Sequence, residues 1–210
     1  MGRPEDVLAF WFGAPATTAA ELGQKMKRWY QGGPEVDRQI GELFLDDTER
    51  ALLGEHDAWA RDVHGRVALV ILLDQFPRSL WRDQPKAYAG DSEAQRFATE
   101  SFDKHLDAQL TIDERNFMIM PLLHAENLAL QERAIGLMDR LVADAPAELR
   151  PVYSMGIEQS RKYRDIIARY GRFPHRNAIL GRESTPDEVE FLRTWKEKMA
   201  PKAPPEAGGT

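Results

Sequence analysis

The segment Arg66-Val-Ala-Leu-Val-Ile-Leu-Leu-Asp74 is the feature that most restricts the fold of this chain. Its continuous apolar and β-branched side chains are typical either of a strand in a parallel sheet or of a helix that is buried on all sides. The chain offers no second candidate strand of this kind, so a strand here would have no sheet to join. We therefore predict a helix that the rest of the protein surrounds.

Helix start and stop signals divide the remaining sequence into helical segments. Thr18 and Thr111 each precede a glutamate by three residues, which is the capping-box pattern of a helix N-terminus. Gly54 and Gly171 each follow an apolar pattern of helical period and favour its end. About eight or nine helices at this spacing predict an all-α fold of antiparallel helix pairs, as a bundle or a short α-solenoid. No clean repeat of roughly 34 to 47 residues is evident.

Proline positions set further expectations for the helix boundaries. Pro77 is expected to push Phe76 out of the helical region and so to end the central helix. Pro121 is expected to start or kink a long helix that continues through His124 and Glu126. The whole chain is predicted to form one domain over residues 1–199, followed by a disordered tail at residues 200–210 that is rich in proline and glycine.

The charge and residue content restrict the function classes. The formal net charge is -6, and no block of basic residues is present, which argues against nucleic acid as a partner. The chain has no cysteine, so thiolate metal sites and cysteine nucleophiles are excluded. The longest apolar run is far shorter than the roughly 20 residues that span a bilayer, and no secretory signal is recognised at the N-terminus. A cytoplasmic location without membrane contact is expected.

Two Phe-Pro junctions concentrate the polar residues that are suited to a binding site. In each, at Phe76-Pro77 and at Phe173-Pro174, a helix runs into Phe-Pro and basic residues follow at once. Guanidinium groups are matched to carboxylate or phosphate oxygens, which indicates a site for an anion. The ligand-binding candidates are Gln75, Arg78, Trp81, Arg172, His175, Arg176 and Asn177. The alternative interpretation is structural, since arginines at helix ends also cap carbonyls and pair with carboxylates.

Four residues are candidates for acid–base chemistry, namely Asp74, His124, Glu126 and His175. None of the common catalytic motifs is present, and no cofactor is predicted. A metal site is not predicted, because two residues of separation would point His124 and Glu126 in opposite directions on a helix.

Three hypotheses for the function remain open from the sequence. The leading one is a module that binds a small anionic molecule or a peptide carboxylate. The second is a hydrolase with a histidine and a carboxylate as its acid–base pair. The third is a protein-interaction scaffold in which the polar motifs are purely structural. The sequence does not define an oligomeric state.

Several phrases of the sequence resemble the bacterial family known as domain of unknown function 924. They are the segment at 67–78, Leu122-Leu-His-Ala-Glu126, the segment at 171–182 and Phe10-Trp-Phe-Gly13. The resemblance implies an all-helical fold similar to tetratricopeptide-repeat proteins, with antiparallel helix pairs wound into a superhelix around the central helix. It implies no established activity. It also leads us to expect histidine in relatives at the position of Tyr163.

Overall fold

A computed structural model describes residues 2–195, and every regular element within that range is helical. The all-helical class predicted from the sequence is therefore confirmed. The α-helices are α1 (Pro4–Phe12), α2 (Ala19–Gln31), α3 (Pro34–Leu52), α4 (Val63–Val70), α5 (Phe76–Leu80), α6 (Asp91–Asp103), α7 (Ile112–Leu123), α8 (Leu128–Asp144), α9 (Arg150–Tyr170) and α10 (Pro186–Arg193).

Helix α4 forms the centre of the protein, as its apolar sequence predicts. Every residue from Val67 to Leu72 is completely buried. The helix contacts α1, α6 and α7, so that neighbours cover it on several sides. Gly65 permits this packing, because a Cβ there would lie 2.0 Å from the carbonyl oxygen of Trp59. Full burial explains why the segment lacks the polar face of an ordinary surface helix.

Helices α7 and α8 are separate, and the prediction of one long helix through His124 and Glu126 is wrong. Pro121 lies inside the last turn of α7. Asn127 starts α8, and its side chain accepts a hydrogen bond of 3.2 Å from the N–H of Leu130. The buried Gln131 donates to the carbonyls of Leu123 and Ala125 at 2.6 and 2.9 Å. His124 and Glu126 consequently lie in a polar turn.

The C-terminal part packs onto this core as a second, smaller apolar cluster. Ile166 and Ile167 of α9 meet Phe173 and Phe191 there. The predicted disordered tail at residues 200–210 lies outside the described residues. Within the described range, no helix combines the length and the apolar character needed to cross a membrane.

Candidate functional site

The first Phe-Pro junction lies within a continuing helical path. Residues Ile71–Gln75 form a π-helical turn, and α5 begins directly at Phe76. The N–H of Phe76 donates to the carbonyl of Ile71, and Phe76 keeps helical dihedral angles. The prediction that Pro77 ends the helix is therefore wrong. The wider turn accommodates a proline without breaking the chain direction, and such turns are frequent at functional sites.

Asp74 lies in this π-helical turn and is completely buried. Nδ1 of His124 lies 2.8 and 3.0 Å from its two carboxylate oxygens, and Nη1 of Arg78 lies 3.2 Å from Oδ1. The amide of Gln75 donates a short hydrogen bond to Oδ2. Burial by itself raises the pKa of Asp74, but the charge of Arg78 and the hydrogen bond with His124 outweigh burial and hold it well below its usual range. Asp74 is an anion at neutral pH.

Asp91, at the start of α6, links the two junctions. Nη1 and Nη2 of Arg78 lie 3.0 and 3.1 Å from its oxygens, and Nη1 of Arg176 lies 3.3 Å away. Burial raises the pKa of Asp91, the negative charge of Asp74 raises it further, and the two arginines oppose that effect. Arginines from positions far apart in the sequence thus share one buried carboxylate.

The second junction is held by an ion pair with the α7–α8 turn. Gly171 ends α9 with a φ of 67°, a conformation that suits glycine. Glu126 accepts a hydrogen bond of 2.8 Å from the N–H of Phe173 and two from Arg182 at 2.6 and 2.9 Å. Nη2 of Arg176 donates to the carbonyl of His124 at 3.0 Å. These contacts fix the second junction against His124.

Both junctions and His124 border one cavity of about 310 Å³. It lies between α5, the α7–α8 turn, α9 and the second junction. Its lining includes arginine, histidine and aromatic side chains. The lining residues are Arg78, Arg82, Asp83, Ala87, Tyr88, His124, Tyr163, Phe173, His175, Arg176 and Trp195.

Aromatic rings hold the two inner arginines in place. The guanidinium carbon of Arg176 lies 4.8 Å from the ring centre of Tyr88 and 4.6 Å from that of Phe173. The guanidinium carbon of Arg78 lies 5.6 Å from the ring centre of Tyr88. Both positions are within the range of cation–π attraction, so the rings help to orient the N–H groups.

His175 has a different environment from His124. Its ring is stacked on Trp195 with 4.3 Å between ring centres, and its buried Nδ1 has no hydrogen-bond partner among the described residues. Burial and the nearby charge of Arg176 lower the pKa of His175 to about 4. His175 is therefore neutral at physiological pH.

The sequence-predicted residues divide into two groups by position. Arg78, His124, His175 and Arg176 line the cavity, and Asp74 lies behind them. The other candidates do not line it, and each contacts another side chain. Gln75 contacts Asp74, Trp81 contacts Lys86, Glu126 contacts Arg182, Arg172 contacts Glu188, and Asn177 contacts Ser184.

Sequence reasoning did not identify Asp91, Tyr88 or Trp195 as residues of this region. The sequence signal that could have pointed to Asp91 is Gly90, because a glycine directly before a helix start can mark a close backbone approach. Tyr163, where the family resemblance leads us to expect histidine, is a lining residue. Over residues 2–195, no group of three or more histidine and carboxylate residues is arranged to hold a metal ion.

Comparison with known proteins gives two matches of similar extent. The model of a family described as a bacterial protein of unknown function, DUF924, matches residues 7–195. A solved structure of a protein of unknown function from Agrobacterium tumefaciens shares 33% sequence identity and a TM-score of 0.73 with this chain. That match covers 90% of this chain and 96% of the other. No curated protein matches.

Proposed function

Because the chain belongs to DUF924, a family of bacterial proteins described as having unknown function, we propose a function from the site itself, namely that the cavity binds a small organic carboxylate. The carboxylate is either a free acid or the end of a peptide. The observation that carries this proposal is the convergence of Arg78 and Arg176 on one cavity.

The two arginines have hydrogen-bond donors in excess of their protein partners. Arg78 donates two hydrogen bonds and its Nη1 also forms ion-pair contacts with Asp74 and Asp91, whereas Arg176 donates two hydrogen bonds to described residues, and a guanidinium group carries five N–H groups. The Nε of Arg176 is buried and has no partner within residues 2–195, although its side chain is only 8% exposed. A buried donor without an acceptor is unfavourable, so the protein partners leave the hydrogen-bonding capacity of Arg176 incompletely used.

The charge around the cavity favours a singly charged ligand. The positive charges of Arg78 and Arg176 face the negative charges of Asp74 and Asp91. A phosphate or dicarboxylate would bring additional negative charge close to these buried carboxylates, which costs free energy at low dielectric. A monocarboxylate supplies two oxygens to a guanidinium fork with the smallest added charge.

The remaining walls suit the organic part of such an acid. Tyr88, Tyr163, Phe173 and Trp195 present aromatic rings. The volume of about 310 Å³ lies at the lower end of small-molecule pockets, which span roughly 300 to 1,000 Å³. A small acid is therefore the best fit.

Calorimetric titration with butyrate, benzoate and inorganic phosphate tests the proposal. Wild-type protein should bind a monocarboxylate more tightly than phosphate, and Arg176→Gln should weaken that binding at least tenfold. Arg78→Lys should also weaken it, and it keeps a positive charge beside Asp74 and Asp91, so it decides the matter if Arg176→Gln does not fold. Arg193→Gln is the matched control, because that side chain is 73% exposed on α10. Wild-type binding in both pocket variants would contradict the proposal.

Three expectations from the sequence are separate from this proposal. A tetratricopeptide-like superhelix and a cytoplasmic location stay predictions. The scaffold hypothesis also stays open, and the arginine variants distinguish it from the pocket, since a scaffold needs no carboxylate ligand.

A further inference from the structure

His124 and Asp74 form a histidine–carboxylate pair at the wall of the cavity. The carboxylate is completely buried, whereas the side chain of His124 is 16% exposed. An ionised carboxylate can only accept hydrogen bonds, so Nδ1 of His124 carries the proton in this contact. Nε2 has no hydrogen-bond partner in the described part of the chain and is the ring nitrogen that can meet a ligand. Asp74 thereby fixes both the orientation and the proton position of the ring.

Two other histidine–carboxylate pairs lack such a setting. His56 contacts Asp47 at 2.9 Å, but its side chain is fully buried. His64 contacts Glu114 at 3.0 Å, with half of its side chain exposed. Neither lines the cavity of Arg78, where His124 combines a fixed imidazole with guanidinium groups. That combination is the usual requirement for acid–base catalysis at a carbonyl group.

We propose that this protein hydrolyses esters of small monocarboxylic acids, with His124 as the general base and Asp74 as the residue that positions it. The inference rests on the proposed function, because the carboxylate that the arginines bind would be the product of the reaction. Water is the nucleophile, since the lining residues include no serine, threonine or cysteine.

The reaction balances without any further reagent. Nε2 of His124 accepts a proton from water while the water oxygen forms a bond to the acyl carbon. The former carbonyl oxygen takes the negative charge, which the guanidinium groups of Arg78 and Arg176 stabilise. The bond from the acyl carbon to the alcohol oxygen then breaks, and the imidazolium returns its proton to that oxygen. One ester and one water give one carboxylate, one alcohol and one proton released to solvent.

Hydrolysis of p-nitrophenyl acetate and p-nitrophenyl butyrate by wild-type protein and by His124→Asn tests the inference. The asparagine amide keeps an N–H group that can face Asp74 but has no basic nitrogen in place of Nε2. General-base catalysis is worth about 10²- to 10⁴-fold, so kcat/KM should fall by at least 100-fold. Butyrate titration of His124→Asn by calorimetry shows separately whether the cavity still binds the acid when hydrolysis is lost. His105→Asn is the matched control, since His105 does not line this cavity.

The positioning role of Asp74 has its own measurement. Nitrogen-15 NMR of the histidine rings in wild-type protein should show the Nδ1–H tautomer for neutral His124, and the opposite tautomer would overturn the inference.

Wild-type protein that binds butyrate but cleaves neither ester, or His124→Asn with wild-type activity, would overturn hydrolysis and leave the carboxylate pocket standing. Absence of butyrate binding would overturn both.

Discussion

A Cβ atom on Gly90 would lie 2.4 Å from the carbonyl oxygen of Leu73. The start of α6 therefore packs directly against the π-helical turn, and only a glycine permits that distance. Gly90 has a φ of -93°, which any residue can adopt, so the requirement for glycine is steric. The contact brings Asp91 to Arg78, and it makes this glycine a part of the site.

Gly90→Ala should reduce both stability and carboxylate binding. The added methyl group meets backbone atoms, which cannot move aside as a flexible side chain can, so α6 must shift and carry Asp91 away from Arg78. Overpacking of this kind costs about 1–3 kcal/mol of unfolding free energy. Urea unfolding and butyrate titration would measure the two effects. Gly23→Ala is the control, since a Cβ there meets nothing within 4 Å, and it should not destabilise the protein. Equal stability of the two variants would contradict the steric argument.

The sequence predicted the central helix correctly because its signal is local. Continuous apolar residues from Val67 to Leu73 specify burial on all sides, whichever elements supply the neighbours. The consequence of Pro77 was predicted wrongly for an equally physical reason. A proline has no N–H to donate and its ring crowds the preceding turn, but the wider π-helical turn lets the N–H of Phe76 donate to the carbonyl of Ile71.

The site could be predicted only in part, because tertiary packing assembles it. Arg78 and Arg176 were recognisable from their Phe-Pro junctions, and the resemblance to DUF924 is confirmed. Asp91 was not recognisable from the sequence, since nothing near it indicates that two distant arginines would share its carboxylate. Glu126 likewise pairs with Arg182 across 56 positions of sequence. Contacts at such separation leave no periodic pattern to detect.

Glu188→Gln should destabilise the protein without weakening carboxylate binding. Glu188 is 2% exposed, accepts two hydrogen bonds from Arg172 at 2.7 and 2.8 Å, and caps α10. The hydrogen bonds from Arg172 lower its pKa to about 2, so the ionised form is the one that stabilises the fold. Loss of this charge should cost about 1–3 kcal/mol in urea unfolding.

The exposed pair on the same helix is the control for that prediction. Glu190 and Arg193 are 68% and 73% exposed, so Glu190→Gln should change stability by less than about 0.5 kcal/mol. Neither Arg172 nor Glu188 lines the cavity. A loss of butyrate binding in correctly folded Glu188→Gln would place this ion pair in the site and contradict the prediction.

His175→Gln should flatten the acid side of the stability profile. The pKa of His175 is lowered to about 4 by burial and by Arg176, from a usual value of 6.5. Between these two values the unfolded chain binds a proton that the folded protein does not, so wild-type stability falls as the pH falls from about 6.5 to about 4. The difference in pKa corresponds to a loss of up to about 3 kcal/mol. Urea unfolding at a series of pH values should show a shallower fall for His175→Gln and parallel curves above about pH 7. Identical slopes on the acid side would show that His175 is not the residue responsible.

Asp74→Asn should cost more stability than Asp91→Asn, although both carboxylates are buried and contact Arg78. The pKa of Asp74 is lowered despite burial, because Arg78 compensates its charge and His124 is hydrogen-bonded to it. The pKa of Asp91 is raised, because burial and the charge of Asp74 outweigh its two arginines. Removing the charge of Asp74 leaves its buried partners without a counter-charge, which typically costs about 3–5 kcal/mol of unfolding free energy. Removing the charge of Asp91 also removes its repulsion with Asp74, so this change should cost less.

Urea unfolding of both variants at neutral pH measures this difference in stability. The same measurement at lower pH tests how the contribution of Asp74 depends on its ionisation. A carboxyl group with a lowered pKa stabilises the folded state above its unfolded pKa, and that contribution is lost as the pH falls towards the folded value. The deficit of Asp74→Asn relative to wild-type protein should therefore shrink below about pH 4. Equal deficits for the two variants at neutral pH would mean that the ion-pair geometry, and not the opposite pKa shifts, determines what each buried carboxylate contributes.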